Sequence, residues 1–314
     1  MTTSLAIGVL TFRRPEQIAE TIPLILEHLD HVTADPSFDV EPFVIVVDND
    51  PAASARSVVE AWPDARVHYA VEAKPGIAAA RNRVLDEAAQ ADVLVFIDDD
   101  ERPEPDWLAA LLRVWADTGA AAVMGRVTSV FETEPEPWVA AGEFFKRRRM
   151  PSGTQITVAA AGNLLLDLSQ VRTLGVRFDE GIGLSAGEDT LFSHRLVRAG
   201  GRIVWCEESN ALDLVPASRV TRTWVLDRAR SHGNTSVVVQ LALATTRRER
   251  VVARVRGAVA GMTRAVAGRC RWLIGVVTRS HRHQARGLRT ERRGRGMLLA
   301  AFGGVVREYA RPTD

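Results

Sequence analysis

The amino-acid sequence predicts an α/β protein with a mostly parallel sheet flanked by helices and a basic helical extension at its C-terminal end. Three observations predict it. Short apolar runs alternate with helix-period segments over the first 118 residues, the pattern of a parallel sheet with helices on both faces. Polar segments of unusual composition follow the first, second and fourth runs, where parallel strands open onto a ligand crevice. Past Thr245 the chain carries 17 arginines, no lysine and only four acidic residues.

The elements follow in order. Leu5-Ala6-Ile7-Gly8-Val9-Leu10 reads as a buried strand. Pro15 suits the first turn of a helix, where its missing N–H would have no partner in any case. Ile18, Ile22, Ile25, Leu26 and Leu29 continue that helix at helical spacing. Phe43 to Val47 is the second strand, and Val67 to Val71 a third, more exposed one. Pro75-Gly76 opens a helix through about Ala89. Val93 to Ile97 is the fourth strand; Asp98-Asp99-Asp100-Glu101 follows it and Arg102-Pro103 stops it. Pro105-Asp106-Trp107 starts a helix to Asp117, with Thr118-Gly119 as its stop.

The middle is less regular. It holds a Pro-broken loop over residues 132–138, a basic run Lys146-Arg147-Arg148-Arg149 expected to be solvated, and an apolar stretch from Val158 to Leu168 interrupted by Gly162-Asn163. After a glycine-rich segment, Glu188-Asp189 begins a helix that ends at Gly200-Gly201, and Ile203 to Cys206 is a last strand.

A chain of 314 residues, 46% hydrophobic and 25% charged, has the composition of a soluble globular protein. A division into residues 1–235 and 236–314 is expected. Two distant cysteines exclude a disulfide framework or zinc module, so a reducing compartment is the default. No signal peptide is expected, since Met1-Thr2-Thr3-Ser4 runs directly into a strand. A Walker A loop and a GxGxxG fingerprint are both lacking.

The last 70 residues have an excess charge of +13, which leaves −12 for the first 244. Val251, Val255, Val259, Met262, Val266, Cys270, Leu273 and Val277 recur there at helical spacing, with Arg254, Arg264, Arg269, Arg271 and Arg279 among them. No window reaches the ~18 apolar residues of a membrane span. One reading is an amphipathic helix lying on an anionic membrane. The other is a helix that packs on the domain and exposes its arginines. The charge excess favours the first. No nucleic-acid partner is expected, because few aromatic residues, Trp272 and Tyr309 among them, interleave the arginines.

Three adjacent carboxylates at a strand end repel one another. A divalent cation, Mn²⁺ or Mg²⁺, would offset that and neutralise a diphosphate; an acidic turn facing water is the alternative. Asp48-Asn49-Asp50 is either a ligand station or a turn built on Asx side chains. Glu188 and Asp189 are either site residues or first-turn acids that favour the helix dipole.

Several segments together resemble a known family: Thr11-Phe12-Arg13-Arg14-Pro15, Val46 to Asp50, Lys74 to Asn82, Phe96 to Glu101, Gly162-Asn163 and Gly187 to Thr190. In order and spacing they are similar to family 2 glycosyltransferases of GT-A fold, and within it to succinoglycan-type (ExoM-like) β-1,4-glucosyltransferases. Val215 to Arg219, Trp224 and Gly233-Asn234 are similar to that subgroup too. The resemblance covers residues 4–235.

The resemblance implies a Rossmann-like nucleotide-diphospho-sugar transferase that moves a hexose, glucose from UDP-glucose, with inversion. The implied acceptor is a hydroxyl of a saccharide or polyprenyl-linked saccharide in polysaccharide biosynthesis. The implied location is cytoplasmic, peripheral on the inner face of the plasma membrane. Thr11, Phe12 and Arg13 are implied at the nucleotide, with Asp48 accepting from the uracil N–H. Gly76, Arg81 and Asn82 would line the same cleft. Asp98 and Asp99 would lie at the ribose and diphosphate, with Asp100 and Asp98 as metal ligands. Asp189 is implied as the catalytic base, with Glu188 and Asn163 at the acceptor. Two other classes compete. A GT-A-like nucleotidyltransferase would also use paired acids and a metal, but needs a Gly-rich loop where Thr11-Phe12-Arg13-Arg14 stands. A non-catalytic nucleotide-sugar sensor would not need Asp100 and Asp189 intact.

Overall fold

Strand β1 (Thr3–Thr11) sets the layering of the fold. Its Leu5, Ile7 and Val9 enter one apolar cluster and Ala6 another, because successive side chains of a strand alternate between faces. The structure is a computed structural model describing residues 2–182 and 186–306. Residues 183–185, inside the expected glycine-rich segment, lie outside the described ones. The chain divides into two compact units. The first comprises Met1–Ser129, Arg147–Gly183 and Glu188–Leu214; the second comprises Val130–Lys146, Leu184–Gly187 and Val215–Asp314.

In the first unit β1 is followed by α1 (Pro15–Ala34), β2 (Val40–Asp48), the single turn α2 (Arg56–Val59), β3 (Val67–Val71), α3 (Ile77–Glu87) and β4 (Val93–Asp98). Then come β5 (Glu101–Pro103), α4 (Trp107–Thr118) and β6 (Ala122–Phe131), whose end reaches the second unit. The strands β3-β2-β1-β4 are parallel neighbours, as the alternation predicts. Beyond β4 the sheet continues through antiparallel strands. β8 (Asn163–Asp167) pairs β4 and β6, and β9 (Ile203–Val215) carries β5 and the two-residue β7 (Gln155–Ile156). Helices α1 and α4 cover one face; α3, α6 (Leu168–Thr173) and α7 (Glu188–Arg198) cover the other.

The register decides what meets at the strand ends. Thr11 stands opposite Asp48, and Leu10 opposite Asp98. The ends of β1, β2 and β4 therefore lie side by side. The antiparallel half was not read from the pattern. β6 and β8 went unassigned, and the last strand runs nine residues past Cys206 to Val215. Of the basic run, Arg147 pairs with Asp213 and Arg149 with Glu207 at 2.7 Å.

In the second unit α5 (Pro137–Gly142), α8 (Arg222–Ala242), α9 (Arg247–Val277) and α10 (His281–Ala301) form a helical assembly. Helix α8 passes unbroken through residues 235 and 236, where a division was expected. Each long helix has an N-cap that satisfies an orphan amide: Thr221 on α8, a Thr246–Glu249 capping box on α9, Ser280 on α10. Trp138, Val139, Val225 and Ala285 pack with Phe144, Phe145 and Trp224 in one cluster, and Val237, Met297 and Ala300 form another.

The tail packs through its glycines rather than its valines. The buried residues of α9 are Ala253, Gly257, Gly261, Gly268 and Gly275. Gly261 and Gly268 stand against the backbone of α10 at Gly294 and Gly287, a close approach that small residues allow. Gly233 and Gly296 do the same where α8 crosses α10. A Cβ on Gly296 would overlap the Arg230 carbonyl oxygen, and one on Gly233 the Arg293 carbonyl.

This contact generates a prediction about stability. Gly296→Ala gains about 1 kcal/mol of helix propensity. It must also push two backbones apart, an overpacking cost of about 1–3 kcal/mol. The backbone term wins because a carbonyl cannot swing aside as a side chain can. Thermal unfolding should show a lowered Tm for Gly296→Ala; an unchanged or raised Tm would show that α8 and α10 do not touch there.

Candidate active site

The acidic end of β4 is held by two arginines from different elements. Asp99 is buried, and Arg14 Nη1 donates to its Oδ1 at 2.9 Å and to Asp100 Oδ2 at 3.2 Å. Burial works against the Arg14 charge, but Asp99 and Asp100 outweigh it and hold the guanidinium above its ordinary value. Burial likewise raises the Asp99 carboxyl, with Arg14 pulling the other way. Part of the offset expected from a divalent cation is thus supplied by the protein itself. Arg14 was missed as a site residue. Its signal was its place beside Arg13 in the polar segment after β1, one strand away from Asp98.

Asp98 retains some exposure, yet surrounding protein atoms push its carboxyl up to about 6. Arg81 opposes that rise, while Asp100, Asp99 and Glu188 add to it. Glu101 is buried, and burial with Asp98 and Asp100 nearby raises its carboxyl well above the usual range. Its Oε2 has no hydrogen-bond partner. Gly162 leaves this space open, since a Cβ there would come within 2.8 Å of Glu101 Oε1 and 2.9 Å of Asp98 Oδ2.

Arg81 and Glu188 form a buried ion pair, each side chain 5% exposed. Arg81 comes from α3 and its guanidinium also lies over the Phe178 ring at 5.5 Å. Glu188 is the first residue of α7, and Asp189 follows it. Burial pushes the Asp189 carboxyl up to about 6; Glu188 raises it further, while Arg81 and the Thr190 groups oppose. Asp189 Oδ1 accepts from Thr190 N at 2.5 Å. A helix N-terminus favours an anion, so desolvation outweighs both the dipole and that bond. Asp98 and Asp189 thus respond to the same Arg81–Glu188 pair.

The other expected site residues divide into two groups. Phe12 and Arg13 remain accessible. Arg13 has a left-handed backbone (φ 56°), lies over the Phe12 ring at 5.2 Å and donates to Asp50 Oδ2 at 3.4 Å. Thr11 is buried beside Asp99, and its hydroxyl helps to hold that carboxyl down. Gly76 (φ 126°) donates its N–H to Asn49 Oδ1 at 3.1 Å, in a backbone region that suits glycine.

Three residues are occupied by the fold itself. Asp48 is fully buried: its Oδ1 accepts from Asp50 N at 2.9 Å, and its Oδ2 from Ala55 N at 2.8 Å and Tyr69 Oη at 2.9 Å. It ties the loop after β2, the Asx role left open above. Asn82 accepts from Phe178 N and donates to Phe178 O, both at 3.0 Å, and to Glu180 Oε1 at 2.8 Å. Asn163 is fully buried; its Oδ1 accepts from Trp107 Nε1 and its Nδ2 donates to Arg126 O, both at 2.9 Å. Asn163 therefore presents no surface to an acceptor. Glu188, also expected at the acceptor, is engaged with Arg81. A buried polar group must be hydrogen-bonded, and an Asn inside an apolar stretch reads equally as ligand or tie.

The carboxylates fit a divalent cation in one form. Asp98 and Asp100 offer hard oxygen donors at the strand end. Among the described residues no group of three His, Cys, Asp or Glu is arranged to hold an ion unaided. A cation here would take its remaining ligands from water and a diphosphate, as Mg²⁺ does in phosphate-handling sites.

The family model "Glycosyl transferase family 2" matches residues 7–172, which contain the second half of β1, all of β2 and β4, and the acidic triplet. The chain belongs to glycosyltransferase family 2. It is 35% identical to the succinoglycan biosynthesis protein ExoM of Rhizobium meliloti (strain 1021) over 73% of this chain and 72% of that protein. It is 32% identical to a pre-mycofactocin glycosyltransferase of Mycobacterium tuberculosis, over 59% of this chain and 40% of that one. Its fold is similar to a crystal structure of S. aureus TarS 1-349, with a TM-score of 0.51, 14% identity and coverage of 93% and 90%. It is also similar to GalNAc-T7 with UDP, GalNAc and Mn²⁺, at a TM-score of 0.53, 12% identity and coverage of 75% and 51%. This glycosyltransferase has the GT-A fold, and the nucleotidyltransferase and sensor readings are set aside.

The buried pair carries the testable energetics of the site. Removing one partner of such a pair costs about 3–5 kcal/mol, because the other charge is left unpaired. Arg81→Met should therefore destabilise the glycosyltransferase strongly, and Arg81→Met with Glu188→Leu much less. Urea unfolding of both variants and of Glu188→Leu measures this; losses that simply add would show that the two groups are not coupled.

Proposed function

We propose that the enzyme transfers glucose from UDP-glucose, with inversion, to a hydroxyl of a lipid-linked oligosaccharide during polysaccharide assembly at the inner face of the membrane. The succinoglycan relative supports the pathway class, and the UDP in the GalNAc-T7 structure supports the donor class. The observation that carries the mechanism is Asp189, a carboxylate at a helix start held at about 6.

In this reading Asp189 accepts the proton of the acceptor hydroxyl as that oxygen attacks the anomeric carbon. An unperturbed carboxylate is a weak base; one raised to about 6 is a better proton acceptor and still ionised at neutral pH. Arg81 keeps Asp189 from rising further and holds α7 through Glu188. Phe12 and Arg13, both accessible, would meet the nucleotide, and Arg14 would meet diphosphate oxygens as it releases Asp100. A divalent cation on Asp98 and Asp100 would stabilise charge on the departing diphosphate. Asp48 and Asn82 act by shaping the loops around the donor, and direct uracil contact passes from Asp48 to the segment it ties.

Replacing Asp189 by Asn keeps the shape and removes the base. Transfer should fall on the order of 10²-fold or more, while UDP binding measured by calorimetry stays within a few-fold. Turnover near wild type would return Asp189 to the role of a helix-start acid.

The pH profile follows from the same group. The base works only when deprotonated, so kcat should be flat at neutral pH and fall as pH drops through about 6. Were kcat to persist undiminished to pH 5, a base of that pKa would be excluded.

The diphosphate station is tested separately. UDP affinity should weaken in chelator and in Asp100→Ala. If neither changes it, the carboxylates at the end of β4 do not bind a metal that the nucleotide shares.

A further inference from the structure

Helix α9 buries the wrong face for a water-soluble helix. Val252, Val255, Val259, Met262 and Val266 recur every three or four residues, Leu273 continues the row two turns on, and all are between 38% and 62% exposed. The opposite face, lined by Gly257, Gly261, Gly268 and Gly275, is the one packed inward. The exposed row extends over most of a 31-residue helix, about 46 Å at 1.5 Å per residue. A continuous apolar surface of that kind marks an interaction site.

The charges decide what covers it. Helix α9 carries eight arginines and a single acid, Glu249, in its first turn. Arg254 and Arg256 are exposed and have no carboxylate partner among the described residues. Arg269 falls in the apolar row itself, three residues after Val266. A second copy mated through this face would bring arginines against arginines, where helix pairs place opposite charges on the flanks. An anionic lipid surface accepts both features at once: valines enter the acyl boundary and arginines meet the headgroups.

We propose that the Val252–Leu273 face of α9 is the surface on which the protein lies on an anionic bilayer, parallel to the membrane plane. This rests on the membrane-peripheral part of the proposed function and not on the sugar chemistry. It adds the contact residues and the orientation of the helix. No described helix is long and apolar enough to cross a membrane.

Vesicle flotation of the full chain tests it, with phosphatidylcholine alone and with added phosphatidylglycerol. Wild type should float with the anionic vesicles and not with the neutral ones. Val259→Glu with Val266→Glu alters only exposed positions and should lower vesicle binding by about tenfold or more, since it removes apolar insertion and adds negative charge. UDP binding should be unchanged in this variant, which separates failure of the docking face from failure of the glycosyltransferase reading. Arg254→Gln with Arg256→Gln should bind less tightly and lose less on added salt. If the Val259→Glu, Val266→Glu variant binds anionic vesicles like wild type, or if no vesicle binds, the proposal is wrong. If wild type is a dimer without lipid and the variant a monomer, the face belongs to a second copy instead.

Discussion

The buried Arg81–Glu188 ion pair is the interaction on which the site depends. It joins α3, which follows the glycine turn at Gly76, to the first residue of α7. It also lies within electrostatic reach of Asp98 at the end of β4 and of Asp189 beside it. Burial raises both carboxyls most; Arg81 lowers both and Glu188 adds to the rise of both, so a single pair adjusts both stations. Burying two charges costs several kcal/mol each before their attraction repays it. A fold aiming only at stability would replace them with apolar residues. Their presence fits a requirement for Asp98 and Asp189 to be raised to about 6 yet still ionised at neutral pH.

The second constraint is repulsion among Asp98, Asp99, Asp100 and Glu101. Four carboxyls in sequence at the end of a parallel strand cannot all ionise in a partly buried place. The structure divides the problem. Arg14 spans Asp99 and Asp100, Arg81 attends Asp98, and Glu101 is driven toward its neutral form. Arg14 is 39% exposed at its side chain and Asp100 27%, so their bond is the accessible one of the set. In the proposed function an entering cation or diphosphate would meet that bond first. Arg14 can then turn from a carboxylate to a phosphate oxygen, both of which accept from a guanidinium. The site is thus electrostatically tolerable without a nucleotide and has a donor ready for one.

What could be read from the sequence follows from physical scale. The parallel half was legible because short buried strands alternate with helices of distinct period, and each helix has a marked start or stop. Gly119, for example, closes α4 in the left-handed conformation. The antiparallel strands β6 and β8 were not, because their apolar runs are broken by Gly125 and by Gly162-Asn163. Those interruptions are packing features: Asn163 fills the space beside Gly125, where a Cβ would overlap it. The acidic triplet is conspicuous as charge at a strand end, whereas Asp189 is separated from an ordinary first-turn acid only by the family resemblance. The ties made by Asp48, Asn82 and Asn163 were not separable from ligand contacts, since a side chain that satisfies backbone groups has the same identity as one that binds a nucleotide. Only the partners distinguish them.

The tail shows why periodicity alone misassigns a face. Valines at helical spacing read as a core stripe, and in most soluble helices the larger apolar side chains are the buried ones. In α9 a glycine repeat of seven residues, Gly261, Gly268 and Gly275, runs along the other side. Glycine contributes no apolar area, so its burial gains little from the hydrophobic effect. Close backbone contact must supply the attraction through dispersion instead. Two helices in water would ordinarily choose the valines. In the proposed orientation the exposed valines would enter a membrane surface instead, and the arginine flanks would favour an anionic one.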